Sequence, residues 1–324
     1  MTTQAVFFPE AGKAELREAE VPETPLGLQE VAGPTVASVI SPGTELAVYQ
    51  GQLRGGSFPT QSGYAAVFRV EEIGDEVRGL VPGDLALTMR PHQGWQRVPE
   101  SEALLVPSCL SAAEAGFARL MNIGMSALTT TTARPPGLVL ITGLGLVGHL
   151  AAQIFDRCGY QVVACDPLES RRLIAQINGL SCVLDCVPLE EAEFAGQVEL
   201  ALECSGNEQA ALEACRMVRR RGEVVLAGVP WQRRTSLYAH ELLYEVFHRY
   251  AVLRSGWEWE VPVHPAEFRA GSIFEQMAGA LRWLDDGDVF VEGLYEVARP
   301  EQAGEVYARL GRRESEKLTC VFEW

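Results

Sequence analysis

One stretch of the sequence restricts the fold more than any other: residues 137–166, which read GLVLITGLGLVGHLAAQIFDRCGYQVVACD. A short apolar run, Leu138 to Ile141, predicts a strand, and an apolar-periodic segment that reaches Cys158 predicts a helix. A second apolar run, Gln161 to Cys165, predicts another strand and is followed by Asp166. A glycine turn alone is weak evidence, but a strand, a glycine turn, a helix, a strand and an acid in this order indicate a dinucleotide-binding site.

Three glycines separate the first strand from the helix, and each has a physical role. Gly143 permits a tight turn, and Gly145 removes a side chain that would block the approach of a pyrophosphate. Gly148 lets the helix pack closely on the strand. The first amides of the helix then face the phosphates, with the positive end of the helix dipole behind them. We therefore expect this loop to bind the pyrophosphate, through Gly143, Leu144, Gly145, Leu146, Val147 and Gly148.

An acid follows the glycines at the distance that a ribose-binding carboxylate requires. Asp166 lies about 20 residues beyond them, where a carboxylate accepts hydrogen bonds from the ribose hydroxyls of NAD. The same charge repels the additional phosphate of NADP. Arg171 and Arg172 argue the other way, and we interpret them as the first turns of the next helix, with Arg171 at the edge of the adenosine. The sequence therefore favours NAD over NADP.

Strands and helices alternate from Gly137 to about Leu253, which predicts a doubly wound parallel sheet with helices on both faces. Ligands of such sheets lie at the carboxyl ends of the strands. Two further loops at that edge are therefore expected to contact the cofactor through Cys204, Ser205, Ala227, Gly228 and Val229.

The first 110 residues consist of short apolar runs between Gly and Pro turns, which predicts a β-rich domain. Helical periodicity begins at Ser111, which forms a capping-box pattern with Glu114, and continues to about Thr130. A last strand, Lys317 to Phe322, can form its backbone hydrogen bonds by joining the N-terminal sheet. We therefore predict an α/β protein with residues 121–265 inserted into a domain built from residues 1–120 and 266–324.

The composition restricts the classes of partner. The chain has 324 residues and a net charge of −16, so a nucleic acid or an anionic membrane is not expected as a partner. No signal sequence is evident and no apolar run reaches the ~20 residues of a membrane span, which favours a cytoplasmic protein. The cysteines form no disulfide framework or zinc motif, and we interpret them as buried small hydrophobes. They are Cys109, Cys158, Cys165, Cys182, Cys186, Cys204, Cys215 and Cys320.

The order of these parts resembles the medium-chain dehydrogenase/reductase superfamily, the zinc alcohol dehydrogenase-like proteins, over essentially the whole chain. The matching segments are Val81 to Asp84, Thr142 to Gly148, Asp166, Glu203 to Asn207 and Val224 to Gly228. The resemblance implies a Rossmann domain that binds NAD, inserted into a β-rich GroES-like catalytic domain. It also implies a small-molecule substrate and hydride transfer between an alcohol and a carbonyl.

The sequence departs from this family where zinc members carry their metal ligands. The usual cysteine ligand falls at Pro42, the histidine and glutamate segment reads Gly63-Tyr64-Ala65, and the third ligand falls at Arg119. Proline, tyrosine and arginine cannot replace the thiolate, imidazole or carboxylate that zinc needs. The resemblance therefore implies an enzyme without zinc, similar to a zinc-free branch that includes bacteriochlorophyllide dehydrogenases.

Without a metal, hydrogen-bond donors must polarise the substrate oxygen. Our first candidates are Tyr64 and Arg119, because Arg119 would favour the phenolate and lower the pKa of Tyr64. Thr44 matches the hydroxyl residue that relays the alcohol proton in zinc members. The alternatives are that Tyr64 only fills the space of the lost metal, and that Arg119 forms an ion pair with Glu45 or Glu114.

Several other polar residues have less specific interpretations. Glu45 is expected to bind backbone amides, and Tyr49 is a further candidate for the site. His92 is interpreted as a surface histidine, whereas His149 is expected to lie beside the phosphates or to pack on its helix rather than titrate in catalysis.

These observations favour a zinc-independent, NAD-preferring oxidoreductase acting on an alcohol/carbonyl pair. One alternative is an NADPH-dependent quinone or enoyl reductase, and another is a dinucleotide-binding sensor or structural protein without catalysis. A methyltransferase is a more distant alternative, since it also has a glycine turn and a ribose-binding acid. The apolar strand Glu292 to Val297, at a potential sheet edge, suggests a homodimer.

Overall fold

The chain forms two units, each with its own β-structure and core, in a computed structural model that describes residues 2–324. The first unit takes the described residues up to Leu120 together with Met277–Gly287 and Val291–Trp324. The second takes Met121–Gln276 and Asp288–Phe290. Gln276 hydrogen-bonds to Ser126 and Thr129, so residues 266–276, which the sequence assigned to the other domain, are held with the second unit.

The strands and helices are defined here by their first and last residues. In the N-terminal part they are β1 (Thr2–Glu10), β2 (Lys13–Glu20), β3 (Glu30–Val39), α1 (Pro42–Tyr49), β4 (Thr60–Gln61), β5 (Ala66–Arg69), β6 (Glu72–Ile73), β7 (Leu85–Thr88), β8 (Trp95–Pro99), β9 (Leu104–Leu105) and α2 (Ala112–Thr130). The central elements are β10 (Leu138–Thr142), α3 (Leu146–Arg157), β11 (Gln161–Cys165), α4 (Glu169–Ile177), β12 (Val183–Leu184), β13 (Val198–Glu203), α5 (Glu208–Met217), β14 (Val218–Leu226), α6 (Ala239–Arg249) and β15 (Val252–Ser255). The C-terminal elements are α7 (Ile273–Asp285), β16 (Tyr295–Ala298), α8 (Ala303–Arg312) and β17 (Thr319–Glu323).

The second unit is a six-stranded parallel sheet in the order β12-β11-β10-β13-β14-β15. Numbered from β10, this is the 3-2-1-4-5-6 strand order of a doubly wound sheet. The chain adds strands on one side of β10 and then, from β13, on the other side. Alternate residues of a strand face opposite sides. Ile141 accordingly packs in one core with Phe155 of α3, and Leu140 packs in the other with Cys215 of α5.

The first unit contains an eight-stranded sheet and a three-stranded sheet. The larger sheet runs β16-β17-β3-β5-β7-β9, with β6 and β8 also paired to β3, and the smaller one runs β2-β1-β4. Strand β17 pairs antiparallel with β3, which confirms that the C-terminal strand joins the N-terminal sheet. One core of this unit places Phe8, Ile40, Tyr307 and Phe322 in contact.

Several features of the local structure were not predicted. Helix α1, which is eight residues long, and helix α6 were not among the predicted elements. Strand β14 begins at Val218, and the three arginines that follow Val218 are exposed. Cys109 and Cys186 are exposed, whereas Cys165, Cys215 and Cys320 are buried as expected.

The capping box that begins α2 is confirmed. The Ser111 hydroxyl accepts from the Glu114 amide at 3.2 Å, and the Glu114 carboxylate accepts from the Ser111 amide at 3.0 Å. A membrane-spanning segment would need a long apolar helix, and none is found in residues 2–324.

Candidate functional site

The glycine loop lies between β10 and α3 in the second unit. Gly143 has a φ of +85°, a conformation that side chains disfavour, and a Cβ there would lie 2.8 Å from the Ser205 side chain. A Cβ on Gly148 would lie 1.9 Å from the Gly143 carbonyl oxygen. A Cβ on Gly145 would meet nothing within 4 Å. Two glycines therefore permit close backbone packing, while the third leaves open space before the helix.

This open space faces the start of α3. Gly145 is the N-cap residue of that helix and has no side chain to satisfy the first amides. Leu144 and Leu146 are buried in the same loop, so the backbone rather than the side chains is presented. Exposed helix amides and the positive end of the dipole form an anion site, which fits a pyrophosphate.

The loops after β13 and β14 pack against the glycine loop, as expected for loops at the carboxyl ends of neighbouring parallel strands. A Cβ on Gly228 would lie 2.4 Å from the Gly206 amide nitrogen, and a Cβ on Gly206 would lie 2.6 Å from the Val229 carbonyl oxygen. Cys204 also lies close, 3.1 Å from the Cβ that Gly148 lacks. The structure therefore brings together the loops in which the cofactor contacts were predicted.

A buried carboxylate that the sequence analysis did not single out organises these loops. Glu203 accepts hydrogen bonds from the amides of Ser205 at 2.7 Å and Gly206 at 3.1 Å, and from the Ser205 hydroxyl. Its own carbonyl oxygen accepts from the amides of Ala227 and Gly228. Burial raises the pKa of Glu203, although the Ser205 hydrogen bonds oppose this effect.

Asp166 occupies the expected position at the end of β11, but its carboxylate also holds the protein's own backbone. It accepts from the amides of Leu144 at 2.8 Å and Leu168 at 2.9 Å. The Arg171 guanidinium lies 3.1 Å from the same carboxylate, and Asp166 is only 2% exposed. Arg171 is thus placed on the predicted ribose acid, and it screens part of the charge that would repel a phosphate.

His149 is buried in α3, one residue after the last glycine of the loop. Its Nε2 lies 3.0 Å from Nδ2 of Asn178, which can only donate, so the proton of the neutral ring is on Nδ1. Burial lowers the pKa of His149 to about 4. His149 therefore packs on its helix as a neutral side chain, as the sequence predicted.

In the first unit, the three predicted catalytic residues lie together. The Tyr64 hydroxyl donates to Ser41 Oγ, and the Thr44 side chain is also within hydrogen-bonding reach of it. The Arg119 guanidinium lies over the Tyr64 ring, 4.8 Å from its centre, and is 2% exposed. This arrangement is a cation–π contact, and the Glu114 carboxylate binds the Ser111 hydroxyl.

The expected pKa of Tyr64 is wrong in its direction. Burial raises the pKa and outweighs the Ser41 hydrogen bond and the Arg119 charge, which lower it. Tyr64 is therefore a protonated phenol at neutral pH and can donate a hydrogen bond or a proton.

A buried cluster around Glu45 was predicted only in part. Glu45 accepts from the Ser41 amide at 2.7 Å, which confirms that it binds backbone, but its contacts with Ser62, His92 and Tyr307 were not predicted. His92 is completely buried, so its interpretation as a surface residue is wrong. Tyr49 lies outside the cluster, because its hydroxyl donates to the Gly12 carbonyl at 2.7 Å.

At the positions where the resemblance places zinc ligands, the side chains do not match the chemistry of that ion. Pro42 and Arg119 have no lone pair to offer, and the Tyr64 phenol is protonated and donates to Ser41. Within residues 2–324, no group of three or more His, Cys, Asp or Glu side chains is arranged to hold a metal ion.

Part of the chain is similar to known proteins. Residues 147–259 match the family model described as zinc-binding dehydrogenase. Sorbitol dehydrogenase of Bacillus subtilis (strain 168) is 29% identical over 140 residues, which is 41% of this chain and 40% of that protein. The curated relatives are matched over only 32% to 47% of their own length.

Solved structures resemble the chain over its whole length. Galactitol-1-phosphate dehydrogenase from Escherichia coli superposes with a TM-score of 0.80 and 16% identity, covering 99% of this chain and 100% of that one. A quinone oxidoreductase from Pseudomonas syringae pv. Tomato DC3000 gives a TM-score of 0.78 and 16% identity, with 99% and 100% covered. Such identities show the fold alone, and they confirm the predicted Rossmann and GroES-like architecture.

Alanine substitutions distinguish the glycine that is closely packed from the glycine that borders open space. Gly148→Ala should destabilise the protein by about 1–3 kcal/mol, because its methyl group would overlap backbone that cannot move freely. Gly145→Ala should leave stability unchanged, since its φ of −67° suits alanine and no atom is near. Urea unfolding of both variants measures the difference, and an equal loss in both would contradict the described loop.

His149 generates a prediction about pH. The pKa of His149 in the folded protein is about 4, below the ordinary 6.5. As the pH falls below 6.5, His149 therefore binds a proton in the unfolded chain but not in the folded protein, which favours unfolding. At pH 5 this mismatch costs about 2 kcal/mol, which His149→Gln should remove. Unfolding at pH 7 and pH 5 tests it, with His240→Gln, an exposed histidine, as the control. An unchanged pH dependence in His149→Gln would contradict the assignment.

Proposed function

We propose that this protein is an oxidoreductase that transfers a hydride between NAD(H) and an alcohol/carbonyl substrate without using zinc. One observation carries the proposal: the protonated Tyr64 hydroxyl is held by Ser41 and Thr44, with the Arg119 guanidinium over its ring. These residues lie at or beside the positions where the family resemblance places the zinc ligands.

The second unit supplies the proposed coenzyme site. The open space at Gly145 and the first amides of α3 suit the pyrophosphate, and Asp166 suits the ribose hydroxyls. The bound nicotinamide would supply or accept the hydride. The Asp166 charge supports a preference for NAD, and its ion pair with Arg171 predicts that the preference is moderate rather than absolute.

On the substrate side, Tyr64 takes the polarising role that zinc has in metal-dependent relatives. Because burial raises its pKa, Tyr64 donates to the carbonyl oxygen during reduction and accepts the proton back during oxidation. Thr44 provides the adjacent hydroxyl for proton relay. Arg119 stabilises negative charge that develops on the phenol oxygen, because a nearby cation favours the ionised form.

The test is steady-state kinetics on a panel of alcohols, aldehydes and quinones with both coenzymes. We expect NAD(H)-preferring turnover of an alcohol/carbonyl pair without stoichiometric zinc. Tyr64→Phe should lower kcat by about 100-fold, because it loses the proton donor, while NADH affinity stays unchanged. Tyr49→Phe, which removes a hydroxyl bound to Gly12, is the matched control.

Each alternative has its own outcome. Turnover of quinones or enoyl substrates with NADPH alone would replace the proposal with a reductase of C=C or quinone substrates. Tight NADH binding without turnover, unchanged by Tyr64→Phe or Arg119→Ala, would identify a dinucleotide sensor. Stoichiometric zinc in the active protein would overturn zinc independence.

We also infer that two copies of the chain associate through α6 and β15. Strand β15 is an edge of the parallel sheet, and α6 leaves Leu243, Tyr244 and Phe247 more than half exposed. Apolar side chains clustered beside an unpaired strand edge are typical of a protein interface. The edge strand β16, near the segment that first suggested a dimer, has fewer exposed apolar side chains beside it.

Phe247→Asp tests this interface. Light scattering should give a dimer for the unmodified protein and a monomer for the variant, because the new charge would be buried without a partner. Ile177→Asp is the matched control, since Ile177 is 80% exposed on α4. A monomeric unmodified protein at micromolar concentration, or a dimeric Phe247→Asp, would contradict the interface.

A further inference from the structure

The buried cluster around Glu45 joins parts of the first unit that are distant in sequence. Glu45 Oε2 is contacted by Ser62 Oγ at 2.7 Å, by His92 Nε2 at 3.0 Å and by the Tyr307 hydroxyl. The other carboxylate oxygen accepts from the Ser41 amide at 2.7 Å. All five side chains are at most 4% exposed. Water is therefore largely excluded, and the carboxylate depends on these donors alone.

Two of these contacts hold the chain segments that carry the proposed catalytic residues. Ser41 precedes α1, which contains Thr44, and its hydroxyl accepts from Tyr64. Ser62 lies two residues before Tyr64. One carboxylate therefore binds segment 41–45 through one oxygen and segment 62–64 through the other. These are the segments at which the family resemblance places two missing zinc ligands.

His92 supports the second segment directly. Its amide donates to the Ser62 carbonyl at 2.8 Å, and its ring lies against the backbone of Gly63. Gly63 has a φ of +91°, and a Cβ there would lie 2.5 Å from the imidazole carbons. The position of the imidazole and the conformation of the residue before Tyr64 are therefore set together.

We propose that Glu45 and His92 are positioning residues, which cross-link segments 41–45 and 62–64 and so hold Thr44 and Tyr64 in one arrangement. The catalytic part of this inference rests on the proposed function, whereas the cross-link itself does not.

The charge of Glu45 is necessary for the cross-link. Burial would raise its pKa, but the adjacent His92 and the hydrogen bonds from Ser41 and Tyr307 outweigh burial and lower it. An ionised carboxylate accepts from every one of these donors, whereas a glutamine amide presents a donor to part of them. Glu45→Gln therefore breaks contacts on one side of the cross-link while it preserves the size of the side chain.

Hydrogen exchange read by mass spectrometry tests the cross-link without any activity. Glu45→Gln should accelerate exchange in peptides from both segments 41–49 and 60–65, and leave the second unit unchanged. Glu30→Gln is the matched control, because that carboxylate also binds a backbone amide and an arginine but lies elsewhere in the same unit. Acceleration confined to residues 41–49, or spread over the whole chain, overturns the cross-link. If Glu45→Gln does not fold, Ser62→Ala removes one donor and keeps the carboxylate, with the same two outcomes.

Kinetics test the positioning role. Glu45→Gln should lower kcat at least 10-fold, with the substrate KM and the NADH dissociation constant within twofold of the unmodified protein. In a Tyr64→Phe background the same change should have less than a twofold effect, because the residue that Glu45 positions is already disabled. Equal losses in both backgrounds, or a loss shared between kcat and KM, overturn positioning through Tyr64. If the unmodified protein shows no turnover, the proposed function fails, and the exchange experiment still decides the cross-link.

Discussion

A buried carboxylate is costly unless hydrogen-bond donors surround it, and the loops of both candidate sites are built on this constraint. Asp166 accepts hydrogen bonds from the amide of Leu144 in the glycine loop and from the amide of Leu168, which precedes α4. Glu45 accepts an amide and the side chains of three distant residues. Backbone amides and hydroxyls supply most of these donors, because acidic residues outnumber basic ones in this chain. The loops are consequently held in place by buried acidic side chains.

In both units buried carboxylates hold loops, but the loops present different chemical groups. In the second unit, Asp166 and Glu203 hold loops whose glycines leave backbone amides and open space, which suits a ligand that is bound through phosphates. In the first unit, Glu45 holds the segments that carry Thr44 and Tyr64, and burial keeps the Tyr64 phenol protonated beneath the Arg119 guanidinium. The proposed coenzyme site and the proposed proton donor thus lie in separate folding units, each with its own core.

Local patterns predicted much of the second unit and little of the cluster in the first. The strand, glycine turn and helix were predictable because each glycine acts on neighbours within a few residues, and the Ser111 capping box spans only one turn. The burial of His92 was not predictable, because its contact with Glu45 joins residues 47 positions apart. The contact between Ser62 and Tyr307 joins residues 245 positions apart, and no local spacing signals it.

The sequence by itself determined the doubly wound sheet, the glycine loop and the acid after β11. These properties depend on residue identity and short-range periodicity. The tertiary structure decided the protonation of Tyr64, the ion pair of Arg171 with Asp166 and the Glu45 cluster. Each of these depends on how deeply a group is buried and which distant donor faces it, and burial arises only when the strands and helices have packed together.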